Sequence, residues 1–203
     1  MVWDDRAAPF IARFAETVRI EFSTMKFCPA CGAAVARKVP AGDTLPRHVC
    51  THCGTIHYQN PKLVVGSIPV WQDRFLLCRR AIEPRYGKWT LPAGFMENDE
   101  TVAQAALRET LEEANAHIEL GGLFSMLSVP HINQVHLFYQ ARLLDLEFHP
   151  GAESLEVELF DATSIPWDEL AFRTVSQTLR FFLQDRSAGT MRLHCGDIAP
   201  RQT

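Results

Sequence analysis

Two groups of side chains stand out by type and spacing: four cysteines in close pairs, and three glutamates crowded into five residues. Cys28-x2-Cys31 and Cys50-x2-Cys53 are separated by 18 residues. Each C-x-x-C turn aims two thiolates at one point, and two such turns complete a tetrahedral S4 site suited to Zn2+. Gly32 and Gly54 follow the pairs, as such turns prefer. Four thiolates fill the coordination sphere and leave no position for water, so the predicted role is structural. Zinc would then supply folding energy that so small a module cannot draw from its own core. His48, His52 and His57 lie nearby as alternative ligands, while Arg37, Lys38 and Arg47 form no dense basic run of the kind that grips nucleic acid. Cys78 sits in an apolar run and reads as a small buried hydrophobe; Cys195 has no evident partner.

The glutamates fall in R-E-T-L-E-E-A-N-A, residues 108–116. Thr101-x-x-Gln104 is a capping-box pattern, which starts a helix at about 102–114. On it Ala103, Leu107, Leu111 and Ala114 form one stripe, predicted to pack on a sheet, with Glu109, Glu112 and Glu113 on the opposite side. Glu109 and Glu113 are a like-charge i,i+4 pair costing roughly 0.2–0.5 kcal/mol, and the helix dipole disfavours anions in the last turns. Arg108 offsets Glu112 at i+4, in the less favourable order. Taken alone, the trio reads first as a solvated acidic face.

The surrounding spacing narrows the choice: Gly94, Glu100 after five residues, Arg108-Glu109 after seven more, then Glu112-Glu113. That pattern resembles the Nudix box, G-x5-E-x7-R-E-U-x-E-E-x-G-U with U apolar. Every charged position matches; Thr110 replaces the first apolar residue and Asn115 the closing glycine. The resemblance implies that Glu109, Glu112 and Glu113 hold catalytic Mg2+ or Mn2+, helped by a backbone carbonyl near Ala93 or Gly94, while Glu100 pairs with Arg108 to orient the helix. Oxygen ligands suit such hard cations, which neutralise phosphoryl charge and generate or orient a water nucleophile. Asn115 is predicted to end the helix in the left-handed region, where asparagine is the residue most tolerant after glycine.

F-C-P-A-C-G, C-T-H-C-G-T-I-H-Y-Q-N-P-K, G-K-W-T-L-P-A-G-F and P-G-A-E-S-L-E-V-E-L-F extend the resemblance to zinc-ribbon Nudix hydrolases, over about residues 26–194. The ADP-ribose/FAD pyrophosphatase type, which releases AMP, is the nearest match among them. NADH pyrophosphatases share ribbon and box but carry S-Q-P-W-P-F-P, where this chain has S-V-P-H-I-N-Q. NAD-cap RNA decapping and a catalytically silent nucleotide-binding regulator are the alternatives. An extra metal-binding glutamate beyond the box maps by resemblance to Glu156, with Glu153 as second candidate. Tyr86, Trp89, Phe95, Tyr139, Trp167 and Phe172 are available for stacking on a nucleotide ring. Arg79, Arg80, Arg85 and Lys88 are candidates for diphosphate oxygens. The family implies a homodimer.

The elements that must position these groups divide the chain into a 1–25 extension, a zinc ribbon at 26–58 and a Nudix domain at 59–203. The resemblance implies an α+β/α/β fold, a Nudix α/β/α sandwich with a mixed sheet. In the extension Phe10, Ile11, Phe14 and Val18 fall at helical spacing. L-V-V-G-S-I-P-V-W and R-F-L-L-C-R-R read as strands joined at Gln72-Asp73, with further strands at 123–129, 134–144 and 155–160. Ile165-Pro166 introduces a helix at about 167–184, with Leu170, Val175, Leu179 and Phe182 on its apolar face. The 47% apolar, 22% charged composition is that of an ordinary globular chain. A net charge of −4 supplies no basic field for nucleic acid or anionic membrane. Neither a secretory signal nor a membrane-length apolar run is legible, so a cytoplasmic protein is expected.

Overall fold

The computed structural model describes residues 25–200, so the helix expected around Phe10–Val18 lies outside the described residues. The chain divides after Asn60 into two units. The first holds a three-stranded antiparallel sheet: β1 (Val35–Lys38), β2 (Arg47–Cys50) and β3 (Ile56–His57), in that order. Gly32 and Gly54 take φ of +74° and +73°, closing the two cysteine turns in a conformation glycine adopts without cost.

In the second unit β4 (Lys62–Trp71) and β5 (Arg74–Arg80) form the expected hairpin, with Gln72 at φ +54° in its turn. Then come β6 (Trp89–Thr90), β7 (Ala93–Phe95), α1 (Val102–Ala114), β8 (Ile118–Val129), β9 (Gln134–Leu143), β10 (Ser154–Asp161), α2 (Arg173–Ala188) and β11 (His194–Asp197). The sheet runs β10-β5-β4-β9-β8-β11, with β6 on β5 and β7 on β4. It is mixed, because β4 with β9 and β8 with β11 are parallel while the other pairs are antiparallel.

Alternation along each strand serves two layers. Ile68, Phe75, Phe124 and Phe138 pack with Val175, Leu179 and Phe182 of α2. Val65 and Leu137 face Ala105 and Ala106 of α1 on the other side. The result is an α/β/α sandwich.

Three features of the structure depart from or add to the expectations. The first is the buried face of α1, which is Ala105, Ala106, Glu109, Thr110, Glu113 and Ala114. Leu107 and Leu111 are 40% and 47% exposed. Two alanines let the helix lie close to β4, and the carboxylates rather than the leucines turn inward.

The second is the start of α2. Trp167–Glu169 is a single 3-10 turn. Leu170 stays extended because it bridges Trp89, and the Ala171 N–H bonds the Trp89 carbonyl at 2.8 Å. Tertiary pairing thus delays the helix to Arg173, and Gly189 at φ +69° closes it. The third is β11, which no sequence signal suggested. It is four residues long and pairs in parallel at the sheet edge.

The limits of α1 are as expected. The Thr101–Gln104 capping box forms in both directions, at 3.2 and 2.7 Å. Asn115 sits at φ +47°, ψ +31°, with its N–H on the Leu111 carbonyl at 2.8 Å.

Candidate active site

Helix α1 lies over β7 so that its carboxylates meet the backbone of residues 93–95. The Ala93 N–H bonds Glu113 Oε2 at 3.2 Å. A Cβ at Gly94 would fall inside the Glu109 carboxylate, so only glycine permits this approach. Glu109 and Glu113 are both buried, 8% and 6% exposed. Burial pushes the Glu113 carboxyl up to about 8, reinforced by the neighbouring Glu109 and Glu153. The same desolvation raises Glu109, although Arg108 opposes it.

Arg108 uses all five guanidinium N–H groups. Two go to Glu100 at 3.0 and 2.7 Å, one to the Phe95 carbonyl at 3.1 Å, one to Glu109 at 2.7 Å and one to Glu112 at 3.0 Å. Glu100 also accepts the Glu97 N–H at 2.6 Å. The Arg108 bonds, with that N–H, hold its carboxyl down at about 2. Arg108 and Glu100 therefore lock the 95–100 loop to the helix, while Glu112 remains exposed at the rim.

The helix end is held by the segment before β10. His149 N–H bonds the Ala114 carbonyl at 3.0 Å and Gly151 N–H the Glu113 carbonyl at 3.0 Å, while Asn115 Nδ2 donates to the His149 carbonyl at 3.2 Å. A Cβ at Gly151 would collide with the Glu112 carbonyl. This turn brings Glu153 close enough to raise both Glu109 and Glu113. Glu156 is placed differently: it pairs across the strands with Arg79, 3.3 Å away, both partners half-exposed. Those two candidates neutralise each other, and Glu153 is the carboxylate electrostatically joined to the box. No sequence signal ranked Gly151, whose role appears only when the chain returns to α1.

The donor set is carboxylate oxygen, and Glu113 has no cationic hydrogen-bond partner among the described residues. That combination fits a hard divalent cation. Arg108 spans Glu109 and Glu112, and these carboxylates are not gathered as closely as the cysteines are.

The remaining candidates divide. Trp89 is committed to the core, edge-on to Phe160 at 4.9 Å, which withdraws it from ligand stacking. Tyr139 packs beside Val65 and Leu137. Tyr86 and Phe95 are exposed, and Lys62 Nζ lies 4.8 Å above the Phe95 ring. A hollow of about 350 Å³ is lined by Pro84, Arg85, His131, Phe172, Arg173 and Thr174 among others. Arg80 connects it to the carboxylates. Its Nε bonds the Pro84 carbonyl at 2.9 Å, its guanidinium covers the Phe172 ring at 5.1 Å, and its charge lowers Glu113.

In the first unit the sulfurs of Cys28, Cys31, Cys50 and Cys53 all lie within 4.8 Å of one another. Backbone N–H groups of His52 and Cys53 point at Cys50 Sγ, each at 3.4 Å, as suits thiolate. His57 Nε2 is 3.3 Å from Cys28 Sγ and is placed as its hydrogen-bond partner. This cluster is consistent with a structural zinc site.

Family models match both units: a "Nudix N-terminal" zinc ribbon at residues 26–59 and a "NUDIX domain" at 60–184. A solved NUDIX hydrolase from Nitrosomonas europaea is 55% identical and superposes with a TM-score of 0.83, covering 86% of this chain and 99% of that one. The ADP-ribose pyrophosphatase of Methanocaldococcus jannaschii is 32% identical over 119 residues, 57% of this chain and 69% of that protein. The 8-oxo-dGDP phosphatase NUDT18 of Homo sapiens is 32% identical over 141 residues, 68% of this chain and 40% of that protein. No described helix is long and apolar enough to cross a membrane.

Proposed function

The chain belongs to the NUDIX family and is a pyrophosphohydrolase-type enzyme with a zinc-ribbon module, and from that premise we propose that it hydrolyses ADP-ribose or FAD at the diphosphate, releasing AMP. The observation that carries the hydrolysis is the burial of Glu109 and Glu113 against Ala93 and Gly94, with Arg108 holding the rest of the box in place. Glu109, Glu112 and Glu113 would hold Mg2+ or Mn2+, which supplies charge neutralisation at the phosphoryl oxygens and an activated water. Arg108 and Glu100 fix the helix against the 95–100 loop. Glu153 adds a further carboxylate beside the pair. Arg80 lies between these acids and the hollow under Phe172, which suits a guanidinium meeting the diphosphate while the hollow takes one end of the substrate.

The test is a panel of ADP-ribose, FAD, NADH and NAD-capped RNA incubated with the full chain and Mg2+ or Mn2+, with AMP as the readout for the three free compounds and nicotinamide mononucleotide for the capped RNA. Preferred release of AMP from ADP-ribose or FAD supports the reading, and Glu113→Gln should abolish it. Turnover of NADH or capped RNA alone overturns the substrate assignment, and no turnover of any member overturns the reaction.

A further inference from the structure

The box pattern calls for an apolar residue where this chain has Thr110, and the structure gives that hydroxyl a defined partner. Thr110 and Ser67 are both fully buried, with their side-chain oxygens 2.6 Å apart. Thr110 Oγ1 also lies 2.7 Å from the Ala106 carbonyl, which can only accept. The single Thr110 proton is therefore spent on Ala106, and Ser67 must donate to Thr110. A directed chain of two hydrogen bonds runs from β4 into the backbone of α1.

Ser67 is tied on its other side to the loop that meets the carboxylates. Its N–H bonds the Pro92 carbonyl at 3.2 Å. Its neighbour Gly66 pairs with Ala93, and a Cβ there would collide with Pro92 and Ala93. Ala93 in turn donates to Glu113, one helical turn beyond Thr110. The circuit closes: Ser67, Thr110, Glu113, Ala93, Pro92 and back to Ser67.

We propose that Ser67 and Thr110 are positioning residues for the divalent cation as a matched pair: with every buried donor at their contact satisfied, α1 sits at the height above β4 that lets Glu109 and Glu113 reach the metal, and a stranded donor shifts it. This rests on the functional reading above. Because the bond chain is directed, the two truncations are unequal. Thr110→Val strands a buried Ser67 donor. Ser67→Ala leaves Thr110 still donating to Ala106. The double variant strands no donor and recreates the apolar contact of the box pattern.

The experiment measures Mn2+ binding to the full zinc-loaded chain by electron paramagnetic resonance, well below the unfolding temperature. Thr110→Val should weaken Mn2+ about tenfold, the low end for loss of a group that orients a metal ligand. Ser67→Ala should change it by less than about threefold, the double variant should return to within about threefold of wild type, and Thr110→Ser should bind like wild type. Thr110→Val binding Mn2+ as tightly as wild type overturns the proposal. So does a folded double variant that binds no better than Thr110→Val. If Thr110→Val does not fold, the double variant and Thr110→Ser decide alone, since neither strands a donor. Wild-type chain that binds no Mn2+, or binds it equally with Glu113→Gln, overturns the functional reading itself and is distinguishable from both results.

Discussion

Replacing Glu113 by glutamine should stabilise the cation-free protein while abolishing its activity, and the gain should grow with pH. The folded carboxyl titrates near 8 against 4.5 for the ordinary group, with burial as the leading cause. Between those values the folded chain keeps a proton that the unfolded chain has released. Stability from this group is thus fully present below 4.5 and is lost as pH rises through 8. At about 1.4 kcal/mol per pH unit, the loss from pH 5 to pH 8 is roughly 4 kcal/mol. Glutamine carries no titrating proton, and its amide oxygen keeps the Ala93 N–H bond.

The assay is urea unfolding at pH 5, 6, 7 and 8 in buffer freed of Mg2+ and Mn2+ by a chelating resin, without dissolved chelator. Trp71, Trp89 and Trp167, three of the four tryptophans, lie in the second unit, so fluorescence reports the part of the chain that holds Glu113. Groups that do not face Glu113, His136 among them, titrate alike in both proteins and cancel in the difference. The difference between Glu113→Gln and wild type should widen by roughly 4 kcal/mol across the range, and saturating Mg2+ should close it by binding the wild-type folded state. A difference that stays constant from pH 5 to pH 8 refutes the reasoning.

Gly94→Ala should lower kcat/KM by about a hundredfold, the usual consequence of a misplaced catalytic group, with little change in the urea midpoint; steady-state kinetics beside unfolding curves check it. Cys50→Ser should abolish bound zinc, read by atomic absorption, while tryptophan-detected unfolding of the second unit stays unchanged. His136, held near 4 by burial, contributes stability that is present above 6.5 and lost as pH falls through 4, worth roughly 3 kcal/mol. His136→Gln should flatten that acid limb in urea titrations. Asn115→Ala should cost about 1 kcal/mol for an alanine forced into the left-handed region, and Asn115→Gly much less.

What the sequence disclosed was local. The capping box at Thr101, the left-handed stop at Asn115 and the two cysteine turns each depend on residues within a few positions of one another, and each forms as read. The departures share a different cause. Hydrophobicity usually decides a helix face and so points Leu107 and Leu111 inward, yet carboxylates and alanines take that face here. The start of α2 was displaced by a backbone bond to Trp89, some 80 residues earlier in the chain. Resemblance puts Glu156 ahead of Glu153, and the return of the chain to the end of α1 through Gly151, two residues before Glu153, is not legible in the sequence.

The orientation of α1 then poses an energetic question. An ordinary amphipathic helix is held by its apolar stripe, but this one leaves two leucines half in water and buries two acids. Directional bonds offset the difference. Arg108 commits five donors, the 149–151 segment caps two terminal carbonyls, and Ser67 reaches across from β4. Hydrophobic contact tolerates sliding, whereas a hydrogen bond weakens steeply with misalignment. A helix fixed this way contributes less to stability than its length suggests, and presents its carboxylates at a defined distance from Ala93 and Gly94. The awkwardness of Glu109 and Glu113 is therefore relieved only in part, and by the same Arg108 and Ala93 bonds that hold them still.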